Sequence, residues 1–463
     1  MLFSGIPFLF YFLPLVLVLY FALPSKFKNV CLLLSSLIFY AWGEPIYIFL
    51  MAATILLTYF LALGIDKYRG KAKGNACFWL AVTASLLSLG FFKYFDFLTG
   101  SLNSAFGLSL PVLKIALPIG ISFYTFQLLS YVIDVKRGSI AVQKNFIDLA
   151  CYITMFPQLI AGPIVRYSDI VEELSFRTHS FDKASLGIRR FIIGLSKKVL
   201  VANTLGELCD IYKNSNEASV VFFWMYALCT ALQLYFDFSG YSDMAIGLGH
   251  ILGFTFIENF NYPFISKSIS EFWRRWHMSL GSWFRDYVYI PMGGNRVGFA
   301  KWIFNILTVW MLTGLWHGAA WNFVIWGLYF AVFLAMEKLF LSKILKKSAL
   351  LSHIYVVITV IVSFVIFSAS DLPAAGEEIK ILFGVGDLPF ITAETLYYLK
   401  SYAVLIGIAL IGSTPIVKNT AIKVSEKWKS VSSLEPLILV ILFVLSVSYL
   451  VDGSFNPFLY FRF

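Results

Sequence analysis

Apolar runs of membrane-crossing length recur along the chain, and they restrict its fold more than any other feature. One occupies roughly 46 to 65, another 354 to 370 and a last one 434 to 451. A helix needs about 20 apolar residues to cross a bilayer. A membrane β-barrel would show short alternating segments instead. A soluble fold is excluded by quantity. Of the 463 residues, 59% are hydrophobic and 13% charged, where soluble domains average about 25% charged. The chain therefore reads as an all-α polytopic membrane protein, with roughly eleven to thirteen membrane-embedded helices including re-entrant pieces. No soluble domain, repeat or low-complexity linker interrupts it, so a single integral-membrane domain over 1–463 is expected.

The formal charge of +10 would suggest nucleic acid in a soluble protein. Here the basic residues collect in short loops, which is the positive-inside bias, and no nucleic-acid partner is expected. The loops DKYRGKAKG (66–74), SKILKKS (342–348) and KNTAIKVSEKWKS (418–430) belong inside by that rule, and 371–400 and the C-terminus outside. The five cysteines are scattered without metal or disulfide spacing and read as core residues. The first apolar run, about 6 to 23, lacks a basic n-region and an A-x-A site, so it reads as a retained helix and not a cleaved signal.

Polar residues inside apolar context mark where the chain is not simply lipid-facing. In ISFYTFQLLSYVIDV (121–135), Ser122, Tyr124, Thr125, Gln127, Ser130 and Tyr131 should face other helices or a cavity. FPQLIAGPIVRY (156–167) carries two prolines and a glycine and is either a re-entrant piece or a helix end with a loop. Residues 166–198 are comparatively polar and read as cytoplasmic or interfacial. Spans are expected at about 219–237 and 240–256, with a break at QLYFDFSGYSDMAIG. Asp237 and Asp243 do not share a helical face, so hydrogen-bonding roles at that break are expected in place of an acid/base pair.

The stretch from about Ser268 to Trp326 holds two histidines that composition does not explain. His277 lies in SISEFWRRWHMSLGSWFRDYVYIPMGGNR. Ser268 with Glu271 is a capping-box pattern, and Gly281 is a plausible end, giving a short helix from Ile269 to Leu280. At about 18 Å it is too short to span. It is either an interfacial anchor or a cytoplasm-facing helix lining an anionic donor site. His317 lies in TVWMLTGLWHGAAWNFVIWGLYF, with no charged residue between Lys301 and Glu337. Trp310, Gly314, His317 and Trp321 follow helical spacing and should share one face. An ionisable group in such a run is a functional-site candidate by default. A buried imidazole is neutral and can take a proton from a hydroxyl as that hydroxyl attacks an acyl group. No nucleotide loop, nucleophile elbow or metal cluster competes with it.

EFWRRWHMSLGSWFRDYVYIPMGGNR and LTGLWHGAAWNFVIWGLY resemble the signature of the membrane-bound O-acyltransferase family. MLFSGIPFLFYFLPLVLVLYFALP, LIFYAWGEP, LQLYFDFSGYSDMAIGLGHILGF and FNPFLYFRF extend the resemblance over most of the chain. PMGGNR is similar to the polysaccharide-acetylating branch, that of the bacterial alginate O-acetyltransferase membrane subunit. The resemblance implies a helical ring around a transmembrane tunnel, with the family's catalytic histidine at His317 and its second functional histidine at His277. It implies an acetyl group taken from a cytoplasmic donor, acetyl-CoA, with no bound cofactor or metal. The acceptor would be a hydroxyl on an extracytoplasmic partner protein or exopolysaccharide, across the inner membrane of a bacterium. Substrate-contact candidates in the two motifs are Arg274, Arg275, Trp276, Arg285, Asp286, Trp316 and Asn322. D-alanyl transfer to teichoic acid is one alternative. A solute transporter is another, supported by Pro/Gly-interrupted helices but lacking paired halves.

Overall fold

The computed structural model describes residues 1–215, 217–428, 433–453 and 458. Of the FNPFLYFRF motif, only Phe458 lies within the described residues. Among them every regular element is helical. Eight helices among the described residues are long and apolar enough to cross a membrane: Tyr47–Lys67 (α1), Ala72–Phe106 (α2), Val220–Leu252, Phe299–His317, Trp321–Leu345, Ala349–Ser368, Ala393–Gly412 and Glu435–Asp452. A shorter apolar helix, Phe8–Ala22, precedes them. The protein is thus an all-helical, multi-pass membrane protein. The chain divides into two compact units, Met1–Phe191 with Met244–Ile257, and Ile192–Asp243 with Glu258–Phe463.

In the first unit the hydroxyl-rich segment forms the helix Ile121–Arg137 (α3). From Ile121 to Val135 only Ile133 is not fully buried. Its serines, threonine, tyrosines and glutamine therefore face protein and not lipid, as their number in an apolar segment required. FPQLIAGPIVRY contains one short helix, Phe156–Leu159, and then irregular backbone. The segment is buried from Phe156 to Val165, which is how non-helical backbone is tolerated at membrane depth. Phe156 packs with Phe3, Phe8, Phe12 and Phe39 in an aromatic cluster.

The two runs expected at 219–237 and 240–256 are one continuous helix, Val220–Leu252 (α4). Gly240 does not break it, because its missing Cβ serves close packing: a methyl there would sit 2.8 Å from Gly194 O. Nor do the two aspartates mark an end. Asp237 pairs with Lys198 at 2.5 Å, with both side chains buried, and Asp243 pairs with Lys197 at 2.6 Å. Successive lysines thus neutralise two carboxylates that point different ways from one helix, and a paired buried charge can be kept inside where a lone one could not.

Candidate active site

The second unit carries both histidines. The expected helix Ile269–Leu280 is instead two short ones, Ile269–Trp273 (α5) and Met278–Phe284 (α6). The start is as the sequence suggested: Ser268 Oγ accepts the N–H of Glu271 at 3.0 Å. A second cap comes from far along the chain. Buried Glu337 accepts the backbone N–H groups of Ile269 and Ser270 and the Ser270 hydroxyl. A carboxylate at a helix N-terminus meets the positive end of the helix dipole. The break between the helices is His277 itself, at φ 45° and ψ 52°. A side chain rarely adopts this left-handed conformation, which costs about 1–2 kcal/mol. It redirects the chain, so Gly281 lies inside α6 and does not end a helix.

Asn259, from the segment before α5, secures that turn. Its backbone carbonyl accepts the N–H of Met278 at 3.0 Å. Its side-chain oxygen accepts the N–H of Ser279 at 3.3 Å and the Ser279 hydroxyl at 2.9 Å, and it lies 3.1 Å from His277 Nδ1. The ring of His277 is buried, 1% exposed, with Phe238 edge-on at 4.7 Å between centroids. Burial pushes its pKa down to about 3, so the ring is neutral.

His317 is the last residue of Phe299–His317 (α7), and Trp321 opens the next helix, Trp321–Met336 (α8). Trp310, Gly314 and His317 therefore share α7, but Trp321 does not. It is half-exposed, because the chain leaves the helix at Gly318 and re-enters after Ala320. The tryptophans beside the imidazole are Trp316 and Trp326, each 5.0 Å away between centroids, with Phe367 at 5.5 Å. α7 and α8 make this possible by touching backbone to backbone. A Cβ on Gly314 would collide with Phe323 O, and one on Gly327 with Trp310 O. Such contact is how membrane helices associate where lipid removes the hydrophobic drive.

The two rings, 40 positions apart in sequence and expected in unlike settings, meet at 6.3 Å between centroids. Trp316 stands beside both, 5.6 Å from His277 and 5.0 Å from His317. The other expected contact residues divide. Trp276 is buried and stacks on Phe272 at 5.6 Å. Asn322 is buried, its amide donating to Ala369 O at 3.1 Å, which ties the start of α8 to the end of Ala349–Ser368 (α9). Arg275 is held by Glu271 at 2.9 Å and Arg285 by its neighbour Asp286 at 2.7 Å, while Arg274 is exposed. Asn259 and Glu337 were not singled out from the sequence. Asn259 sits in a loop, FIENFNYPF, whose polarity is unremarkable. Glu337 had a weak signal as an acid ending a long apolar run. Among the described residues no group of three or more His, Cys, Asp or Glu could hold a metal ion.

A multi-pass helical membrane protein with two neutral-capable imidazoles buried side by side suits proton transfer in a water-poor interior. Comparison with known proteins gives the class. A profile of the membrane-bound O-acyltransferase family matches residues 34–372, and the chain belongs to that family. It is 38% identical to a protein of Azotobacter vinelandii named "Probable alginate O-acetylase", with all of both chains covered. It is 35% identical to the peptidoglycan O-acetyltransferase of Helicobacter pylori over 73% of this chain and 70% of that one. To the teichoic acid D-alanyltransferase of Bacillus subtilis it is 33% identical over 60% of this chain and 72% of that one. The protein is a membrane O-acyltransferase, and the transporter alternative falls away.

Proposed function

We propose that the chain acts as one integral-membrane enzyme over 1–463 in a bacterial inner membrane. It would take acetyl from acetyl-CoA at the cytoplasmic side and pass it to a hydroxyl of an extracytoplasmic partner protein or polysaccharide. The full-length likeness to a protein named for alginate acetylation, against a partial likeness to D-alanyltransferases, supports acetyl as the group moved.

The observation that carries the chemistry is the meeting of two buried imidazoles 6.3 Å apart. His317 is the general base. It removes the acceptor hydroxyl's proton as the oxygen attacks the acetyl carbonyl carbon. The tetrahedral adduct then collapses, the carbon–sulfur bond breaks, and the proton returns to the departing thiolate. No net proton is consumed. His277 orients the reacting group or relays the proton. Of the three candidate arginines, Arg274 would meet donor phosphates: it is exposed, while Arg275 and Arg285 are paired with carboxylates of their own segment.

The test uses purified protein in nanodiscs with labelled acetyl-CoA and an extracytoplasmic acceptor. Wild type transfers label and His317→Ala does not, although it inserts and purifies normally. Near-normal transfer by His317→Ala removes that residue from the mechanism. Transfer only from a carrier-bound D-alanyl donor replaces the acetyl reading.

A further inference from the structure

We propose that Asn259 is a positioning residue for acyl transfer: it fixes His277 as the Nδ1–H tautomer and so makes Nε2 the ring's basic nitrogen.

The argument starts from a donor that cannot be reversed. The backbone N–H of Ser279 points at one terminal atom of the Asn259 amide, 3.3 Å away. An N–H can only donate, so that atom is the oxygen, and the amide nitrogen faces the hydroxyl of Ser242 at 3.0 Å. This removes the usual ambiguity of an asparagine's orientation. The same oxygen lies 3.1 Å from His277 Nδ1. Oxygen has only lone pairs to offer, so Nδ1 carries the hydrogen. The Ser279 hydroxyl, 3.5 Å from Nδ1, is spent on Asn259 at 2.9 Å and does not compete. In a neutral imidazole the other nitrogen then holds the lone pair. His277 Nε2 is buried and meets no hydrogen-bond partner among the described residues, as an atom kept for a reacting group would be.

Asn259 also determines where the ring stands. It is fully buried, and its backbone oxygen holds Met278 N–H while its side chain holds Ser279. Left-handed backbone at a histidine persists only where the surroundings over-determine it, and these contacts do so from outside the turn. One residue thus sets the ring's position, its tautomer and the capping of α6. The groups that face the ring are Asn259, Ser279, Phe238, Trp316 and His317, and of these only His317 carries an ionisable side chain.

The proposal rests on the reading that His277 takes part in transfer, and two measurements separate them. In wild-type protein labelled with 15N-histidine, one signal among the five histidines, assigned by its absence in His277→Gln, should show a protonated Nδ1 and a bare Nε2 at pH 7. An Nε2–H signal overturns the proposal. Kinetically, Asn259→Asp keeps the shape but puts a carboxylate against Nδ1–H, favouring the imidazolium. Its kcat should fall more than tenfold at pH 6 and recover as pH rises, with KM within about twofold of wild type. A profile superimposable on wild type overturns the positioning role. If the tautomer is as stated but His277→Gln transfers acetyl normally, the tautomer stands, His277 leaves the mechanism, and the positioning claim falls with it.

Discussion

His277 lies on a left-handed turn between two short helices, with a ring nitrogen and the next two backbone N–H groups gathered on Asn259. His317 closes a membrane helix and stands among Trp316, Trp326 and Phe367. One imidazole is placed by hydrogen bonds and strained backbone, the other by aromatic walls and a glycine-tight helical hairpin. Hydrogen bonds specify a tautomer and flat rings do not. Aromatic walls exclude water and fix the plane of the ring by packing. A site that needs one oriented group and one proton acceptor is served by keeping these means apart.

The contrast breaks first at His317. His317→Ala should lower acetyl transfer by about 10²–10⁴-fold, the usual worth of a general base, with unchanged yield in detergent. A smaller loss than that from His277→Ala would reverse the roles assigned to the two rings. The aromatic side of the comparison is sharpened by Gly314→Leu. The added side chain must part α7 from α8 at Phe323 O, an overpacking cost of about 1–3 kcal/mol or more. The expected outcome is a lower melting temperature and lost activity, whereas Gly376, exposed within the helix Leu372–Leu382 with open space around it, should accept Ala with full activity and a melting temperature no lower than wild type.

Much of this was legible in the sequence, for particular reasons. Run length gave the membrane helices, because the bilayer imposes a single length scale. The hydroxyls of α3 gave its burial, because lipid offers them nothing. The two histidines stood out because an ionisable group in apolar context is costly. The meeting of His277 with His317 was not legible. Local spacing describes one helix at a time, and the turn at His277 depends on Asn259, 18 positions away in sequence (277 − 259). The break expected at QLYFDFSGYSDMAIG failed for a related reason: its polar residues and glycine face partners distant in sequence, Lys197, Lys198 and Gly194. Trp321 was lost from the His317 face because the helix ends at Gly318 and the next begins only after Ala320.

The hydrogen-bonded side of the comparison predicts a pH effect. Folded His277 takes up a proton only near pH 3, while an unfolded histidine does so near 6.5. A folded pKa below the unfolded one means that acid favours the unfolded chain. Between those values His277 should therefore lower stability as pH falls, by up to about 1.4 kcal/mol per unit. His277→Gln should flatten the dependence of melting temperature on pH below 6.5. Equal slopes in the two proteins would place the ring in water.

The smallest effect isolates backbone strain from chemistry. His277→Ala and His277→Gly both remove the imidazole, so both should lose activity alike. They differ in what remains at φ 45°. Alanine keeps a Cβ that the left-handed region resists, and glycine does not. The Gly variant should then be more stable than the Ala variant by about 1 kcal/mol, read as a higher melting temperature in matched detergent. In a helix interior the order would be the opposite, because glycine there is the worse residue. An Ala variant as stable as the Gly variant would mean that the turn relaxes when the ring leaves. The strain would then come from the hydrogen bond to Asn259, and not from the fold around it.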